Sequence, residues 1–351
     1  MVSIERAALA AVGPLAGAAV LGFLLAAVPP PAAKAETAEP PALGLPIRCR
    51  PGHDCWLVNL VDLDPGPGTL DYRCGKRTYN GHKGTDIAIR DSKAMARGVE
   101  VVASAPGVVK APRDGMEDVD FTRPGVSSVK GRECGNGVVI RHGGGWETQY
   151  CHLRQGSVAV KKGDAVIRGQ TLGLVGNSGK AQFPHVHLSL RHRGEVIDPF
   201  VRLTPRGECG PGAGRRSLWR EGARAGLDGP ATAVYSAGFA TTPPAAGDAY
   251  AGRLDAVSLP ADAPALVFWV SMFGVEAGDA VTLRLTGPGD KPVFENRTRL
   301  EKAQARHFRY AGRKRRTPAW PLGTYRGEAT LVRGEGPAAE TFAIAREIEI
   351  R

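Results

Sequence analysis

Between residues 47 and 205 the apolar positions fall in short runs closed off by glycine, and alternation with polar positions sets the rhythm. Val101-Val102-Ala103, Val138-Val139-Ile140 and the Val186, Leu188, Leu190 series are of this kind. Helical spacing never exceeds a turn or two; Ser92 to Arg97 is the best candidate. The pattern predicts an antiparallel, all-β architecture. A stretch rich in glycine and proline, including Gly210-Pro211-Gly212-Ala213-Gly214, reads as a linker over residues 206–230. Alternation then returns at Ala265–Val270, Ala280–Leu285, Gly323–Val332 and Ala343–Ile350, with turns at Gly287-Pro288-Gly289-Asp290 and Trp320-Pro321-Leu322-Gly323. Strand number and spacing predict a second all-β domain over residues 231–351, a β-sandwich of the immunoglobulin-like kind. It holds no constellation of reactive side chains; His307 stands alone.

The start of the chain breaks this rhythm. Arg6 precedes an apolar run from Ala7 to Val28, and Ala33-Lys34-Ala35 offers a small-residue cleavage site. The run is long enough to span a bilayer, but Pro14 and several glycines interrupt it and Pro29-Pro30-Pro31 follows. Residues 1–35 are therefore expected to be a signal peptide, or else a membrane anchor through residues 7–28. Residues 36–46, rich in alanine, proline and glutamate, read as a spacer ahead of the first β domain. Either reading exports the remainder, to the periplasm or cell envelope.

Cysteine usage agrees with export. Six cysteines form an even set, which in an exported protein suggests disulfides. Cys134 and Cys151 flank two strand-like runs joined at His142-Gly143-Gly144-Gly145, so a cross-hairpin bond is reasonable. Cys49–Cys55 would close a small loop and leave Cys74–Cys209 to tie the ends of the domain, although spacing alone does not settle the pairing. Cys151 as a metal ligand beside His152 is disfavoured, because neighbours on a strand face opposite ways. The net charge of +11 favours anionic polymers. No zinc finger, aromatic RNA-binding motif or basic helix points to nucleic acid. The densest basic cluster, Arg313-Lys314-Arg315-Arg316, reads most simply as a solvated loop, with a wall-binding patch as the alternative.

The chemistry sits in three segments: Gly81-His82-Lys83-Gly84-Thr85-Asp86, Tyr150-Cys151-His152-Leu153 and Phe183-Pro184-His185-Val186-His187-Leu188. His185 and His187 are two apart, so on a strand both face one side. On a helix they would be splayed by about 200°. His82 and Asp86 are four apart, about 13 Å on an extended strand, so the chain must bend between them to serve one ion. Gly81 and Gly84 make such a bend easy. Together the segments supply a three-ligand metal site plus two free histidines. A catalytic zinc characteristically has three protein ligands and one open position.

The same segments, with Val101-Val102-Ala103-Ser104-Ala105-Pro106-Gly107-Val108-Val109, Gly135-Asn136-Gly137-Val138-Val139-Ile140-Arg141-His142, Val160-Lys161-Lys162-Gly163-Asp164-Ala165-Val166 and Gly169-Gln170-Thr171-Leu172-Gly173, resemble the lysostaphin-like, or LytM-type, zinc endopeptidases of bacterial cell walls. The likeness covers about residues 72 to 200. It implies a compact β domain over residues 47–205 with zinc in a groove, held by His82, Asp86 and His187. It makes His152 and His185 unligated catalytic histidines, His152 as general base and His185 as orienter of water or stabiliser of an oxyanion. It implies one zinc ion per chain and peptidoglycan peptide bridges as substrate. His142 matches a histidine outside the metal shell and is expected to be structural. Two departures stand out: residues 176–184 lack the Ser-Thr-Gly that often precedes His-x-His, and residues 112–133 are longer than the usual connection. The longer segment reads either as a solvated loop or as a wall of the cleft. Two other functions stay open: a non-catalytic activator of another wall hydrolase, and a zinc protease of an extracellular protein.

Overall fold

A computed structural model describes residues 39–351, apart from residues 124, 203–205, 208, 211–215 and 231. The expected signal peptide or anchor lies outside the described residues. Among those described, no helix is long and apolar enough to cross a membrane. The first region runs β1 Cys55–Asn59, β2 Thr85–Ile89, α1 Ser92–Arg97, β3 Glu100–Val102, β4 Gly107–Arg113, β5 Asn136–Gly143, β6 Trp146–Leu153, β7 Ala165–Val166, β8 Thr171–Leu174, β9 His185–His192, β10 Glu195–Val196 and α2 Glu221–Leu227. The second runs β11 Ala233–Ala240, α3 Ala246–Tyr250, β12 Ser258–Leu259, β13 Ala265–Val275, β14 Ala280–Gly287, β15 Lys291–Arg299, β16 Gln304–Lys314, β17 Gly323–Arg333 and β18 Glu340–Ile350.

The first region is built on one sheet in the order β1-β2-β9-β6-β5-β4-β7, with β10 beside β9 and a separate β3-β8 pair. Every ladder in it is antiparallel, as the alternation predicted. Ile87, Val138, Ile140, Tyr150, Val186, Leu188 and Leu190 bury one face of the sheet in a continuous core. Register matters most at its centre. Asp86 lies opposite His187, and His187 lies opposite Cys151 on the other side. Three neighbouring strands therefore present the segments that carry the chemistry in one row. Disulfides join Cys49 to Cys55, Cys74 to Cys209 and Cys134 to Cys151.

The boundaries depart from the sequence reading in two places. Leu43, in the expected spacer, is fully buried, and its backbone N–H donates to the Leu218 carbonyl at 2.7 Å. Leu218, Trp219, Ala223 and Leu227, in the expected linker, fill the same core around α2. The physical reason is that a few large apolar side chains decide burial. Each contributes roughly 2 kcal/mol when removed from water, whatever the proline and glycine content around it.

The second region is a two-sheet β-sandwich. A three-stranded sheet, β11-β13-β16, faces a five-stranded sheet, β12-β18-β17-β14-β15. Phe268, Val270 and Met272 from the first meet Leu283, Leu285, Leu331 and Ile348 from the second in one core. A smaller cluster joins the two regions: Trp56, Val58, Ala88 and Phe183 pack against Tyr235 and Phe273. The described residues accordingly belong to one compact unit.

Candidate metal centre

His82, Asp86 and His187 converge, with one ligand atom from each lying within 4.8 Å of the others. Asp86 sits in β2 and His187 in β9, directly paired. His82 reaches them because the chain turns at Gly81, whose φ is +74°. Gly84 lets the turn close on β9: a Cβ there would stand 2.6 Å from the His187 ring and 2.6 Å from the Leu188 carbonyl oxygen. His82 Nε2 lies 3.1 Å from Asp86 Oδ2 and 3.1 Å from His187 Nδ1, and His187 Nδ1 lies 2.7 Å from Asp86 Oδ1.

Each imidazole is oriented by its other nitrogen. His82 Nδ1–H donates to the Leu60 carbonyl at 2.6 Å. His187 Nε2–H donates to Ser189 Oγ at 2.9 Å, and that hydroxyl in turn donates to the Lys83 carbonyl. With those protons committed, His82 Nε2 and His187 Nδ1 present lone pairs to each other and to a carboxylate. Three acceptors facing inward fit a cation, and nitrogen and oxygen donors at about 2 Å are what zinc takes. Asn59 Nδ2 donates to Asp86 Oδ2 at 2.9 Å and holds the carboxylate in place. Burial alone would raise the Asp86 pKa, but the imidazoles of His82, His185 and His187 hold it well below the usual carboxylate range. Burial would likewise depress His82, and Asp86 beside it reverses the sign and raises it. Burial carries His187 below its ordinary value.

His152 and His185 stand beside this trio with rings 4.6 Å apart. His152 Nδ1–H donates to the Ser178 carbonyl at 2.7 Å, and His185 Nδ1–H to the Phe183 carbonyl at 2.8 Å. Among the described residues their Nε2 atoms make no hydrogen bond; that of His185 lies 3.7 Å from Asp86 Oδ1. Burial, then the neighbouring His185 and His187, push the His152 pKa well down, so its imidazole is neutral at pH 7. His152 has a φ of +63°, a left-handed conformation uncommon for a residue with a side chain. It breaks the strand alternation there, and Cys151 and His152 both line the cleft. Strand alternation therefore does not turn Cys151 away from the cleft at this position. Its sulfur is instead committed to Cys134. His142, held by the Pro106 carbonyl and Thr148 at 2.7 Å each, lies apart from the trio.

The cleft in front of these groups has a volume of ≈ 480 Å³ and is lined by Lys83, Arg113, Lys180 and Arg191, with Glu133 as the acidic counterpart. Arg113 is the last residue of β4, and Glu133 belongs to the long connection between β4 and β5. That connection is tied down by its own acids: Asp118 accepts from the N–H groups of Asn177 and Gln155 at 2.6 and 2.9 Å. Asn59, Ser178 and Ser189 were not singled out in the sequence, and Asp118 stood out there only as one acid of the long connection. Only Ser189 carried a signal, two residues beyond His187 on the same strand face.

Residues 80–199 match the Peptidase family M23 description. The chain is 36% identical over 124 residues to a peptidoglycan DD-endopeptidase, ShyA, of Vibrio cholerae, covering 35% of this chain and 23% of that protein. It is 37% identical over 131 residues to a DD-carboxypeptidase/endopeptidase, Mpg, of Neisseria meningitidis, covering 36% and 24%. The matched part is thus about a quarter of those relatives' length. Among solved structures, the catalytic domain of the prophage-encoded M23 protein EnpA from Enterococcus faecalis aligns with a TM-score of 0.28 and 25% identity, over 41% of this chain and 88% of that one. Converging ligand donors and the family match fall in the same segment: the chain carries a Peptidase family M23 domain over residues 80–199.

Proposed function

We propose that the protein is a zinc-dependent endopeptidase that hydrolyses peptide bonds in peptidoglycan stem peptides or cross-links. The observation that carries this reading is the inward convergence of His82, Asp86 and His187 beside two imidazoles with free Nε2 atoms. Zinc held by the trio supplies Lewis acidity toward a scissile carbonyl and an attacking water. His152 is the general base: its Nε2 is unprotonated at pH 7, takes the proton of the water and returns it to the leaving amine. His185 orients that water. Its Nδ1–H is committed to Phe183, so its Nε2 offers an acceptor, which suits a water O–H better than a developing oxyanion.

The cationic lining of the cleft supports a substrate that carries carboxylates, as wall stem peptides do, over a neutral glycine bridge. The disulfides support a location outside the cytoplasm. Mass spectrometry of wall digests by the purified, zinc-loaded chain tests the proposal. New peptide termini at stem peptides or cross-links, suppressed by a chelator, are expected. Intact wall together with faster action of a separate amidase would replace this reading with that of an activator. Cleavage confined to a folded protein substrate would replace it with an extracellular protease.

A further inference from the structure

Phe183 stands where the two β regions meet. Its carbonyl accepts from His185 Nδ1–H at 2.8 Å, and its ring lies 5.1 Å from the His185 ring. The same ring also meets the sandwich: the Phe273 ring, from β13, is 5.5 Å away, and the Arg306 guanidinium, from β16, is 5.5 Å from its centre. Arg306 is itself fixed. It lies 3.4 Å over the Tyr250 ring and donates through Nε to the Tyr235 hydroxyl at 2.9 Å. Tyr235 stacks on Phe273 at 4.2 Å and packs on Trp56 at 5.3 Å. Trp56 lies in β1, opposite Ala88 of β2, and Ala88 is paired with His185. Contacts thus run from the sandwich to Phe183 beside the His185 imidazole and, through Trp56, to the strand paired with His185.

We propose that Phe273 and Arg306 are positioning residues for His185: the C-terminal sandwich holds Phe183, and Phe183 holds the imidazole. Phe183 precedes β9 and lies in no strand; the adjacent Pro184 carbonyl accepts from Ile89 N–H at 3.1 Å, and the Phe183 side chain is held by packing across the junction. A carbonyl that orients a water-positioning histidine must be placed within a fraction of an ångström, because small misplacements remote from the chemistry can cost ~10²-fold in rate. The sandwich is then a structural part of the active site, besides anything it binds. This inference rests on the role given to His185 above.

The test uses the full-length, zinc-loaded chain. Arg306→Ala and Phe273→Ala are expected to lower kcat on a wall peptide about 10-fold, with KM within about 2-fold and zinc content unchanged. Phe273→Leu, which restores apolar volume, should recover most of that loss. Leu283→Ala, in the sandwich core away from Phe183, serves as the control of comparable destabilisation and should keep kcat. In protein labelled with ¹⁵N-histidine, the His185 Nδ1–H signal should shift or broaden in the Arg306 and Phe273 variants and stay in the control. Arg306 is half-buried, so its variant is expected to fold even if Phe273→Ala does not. An unchanged kcat and an unchanged signal in folded Arg306→Ala would overturn the proposal, as would an equal loss in the Leu283 control. Should the wild-type chain cleave no wall peptide, the catalytic reading falls, and the imidazole signal by itself decides the coupling.

Discussion

His152 carries two burdens at once: a backbone in left-handed territory and an imidazole kept neutral by burial. Strained residues of this kind cost about 1–3 kcal/mol and persist where surrounding structure holds them. Here the restraints are the Cys134–Cys151 bond next door and the His152 N–H donated to the Cys134 carbonyl at 2.8 Å. His152→Ala is expected to keep stoichiometric zinc while kcat falls about 10²-fold or more. His187→Ala should lose zinc and activity together. Elemental analysis beside a turnover assay separates the two, and zinc loss in the His152 variant would place that residue among the ligands. At this scale the histidines and the aspartate that the fold brings together were legible, because imidazole and carboxylate at strand and turn spacings narrow the chemistry. Their supports were not. The carbonyls of Leu60, Ser178 and Phe183 do the orienting, and any residue type supplies a carbonyl.

Among the elements, the pairing of β2 with β9 decides whether a site forms. Asp86 faces His187 across one ladder, and a slip by one residue would turn every side chain of β9 to the opposite face. The glycine at position 84 lets the preceding turn lie against that strand. Gly84→Ala should push the His187 ring aside and weaken zinc affinity at least 10-fold, measured by competition with a chromogenic chelator. Wild-type affinity in this variant would mean that the turn has slack the geometry does not suggest. Alternation and glycine spacing made the strands readable in the sequence. The docking of the long β4–β5 connection was not readable, since Asp118 finds its partners, Asn177 and Gln155, far along the chain.

For the whole molecule, the informative residues are those that join parts the sequence separates. Leu43 and Leu218 to Leu227 complete the first core, although composition marks both neighbourhoods as connectors. A fragment of residues 47–205 should therefore expose that core and aggregate or melt well below the intact chain. A fragment of residues 39–230 should retain more of its structure, as followed by circular dichroism. Equal behaviour of the two would show that these side chains add little.

A second global property comes from Asp198, whose pKa burial pushes up to about 7, with Asp71 adding to the effect against the N–H groups of Phe200 and Val201. A carboxyl protonated inside but titrating near 3.8 when unfolded makes the native state bind more protons between those values. Stability should then fall as pH rises from about 4 to 7, by up to about 4 kcal/mol. Asp198→Asn should flatten that slope, and denaturant midpoints at several pH values would detect it. An unchanged slope would assign the pH response to other groups.

The aromatic junction of Trp56, Phe183, Tyr235 and Phe273 also bears on how this architecture can be re-engineered or diversify. A tail module joined only by a tether could be exchanged like a cassette among unrelated hydrolases. Here a graft would have to carry matching rings on both sides of the seam, so the two halves are expected to be inherited, swapped and lost as a pair.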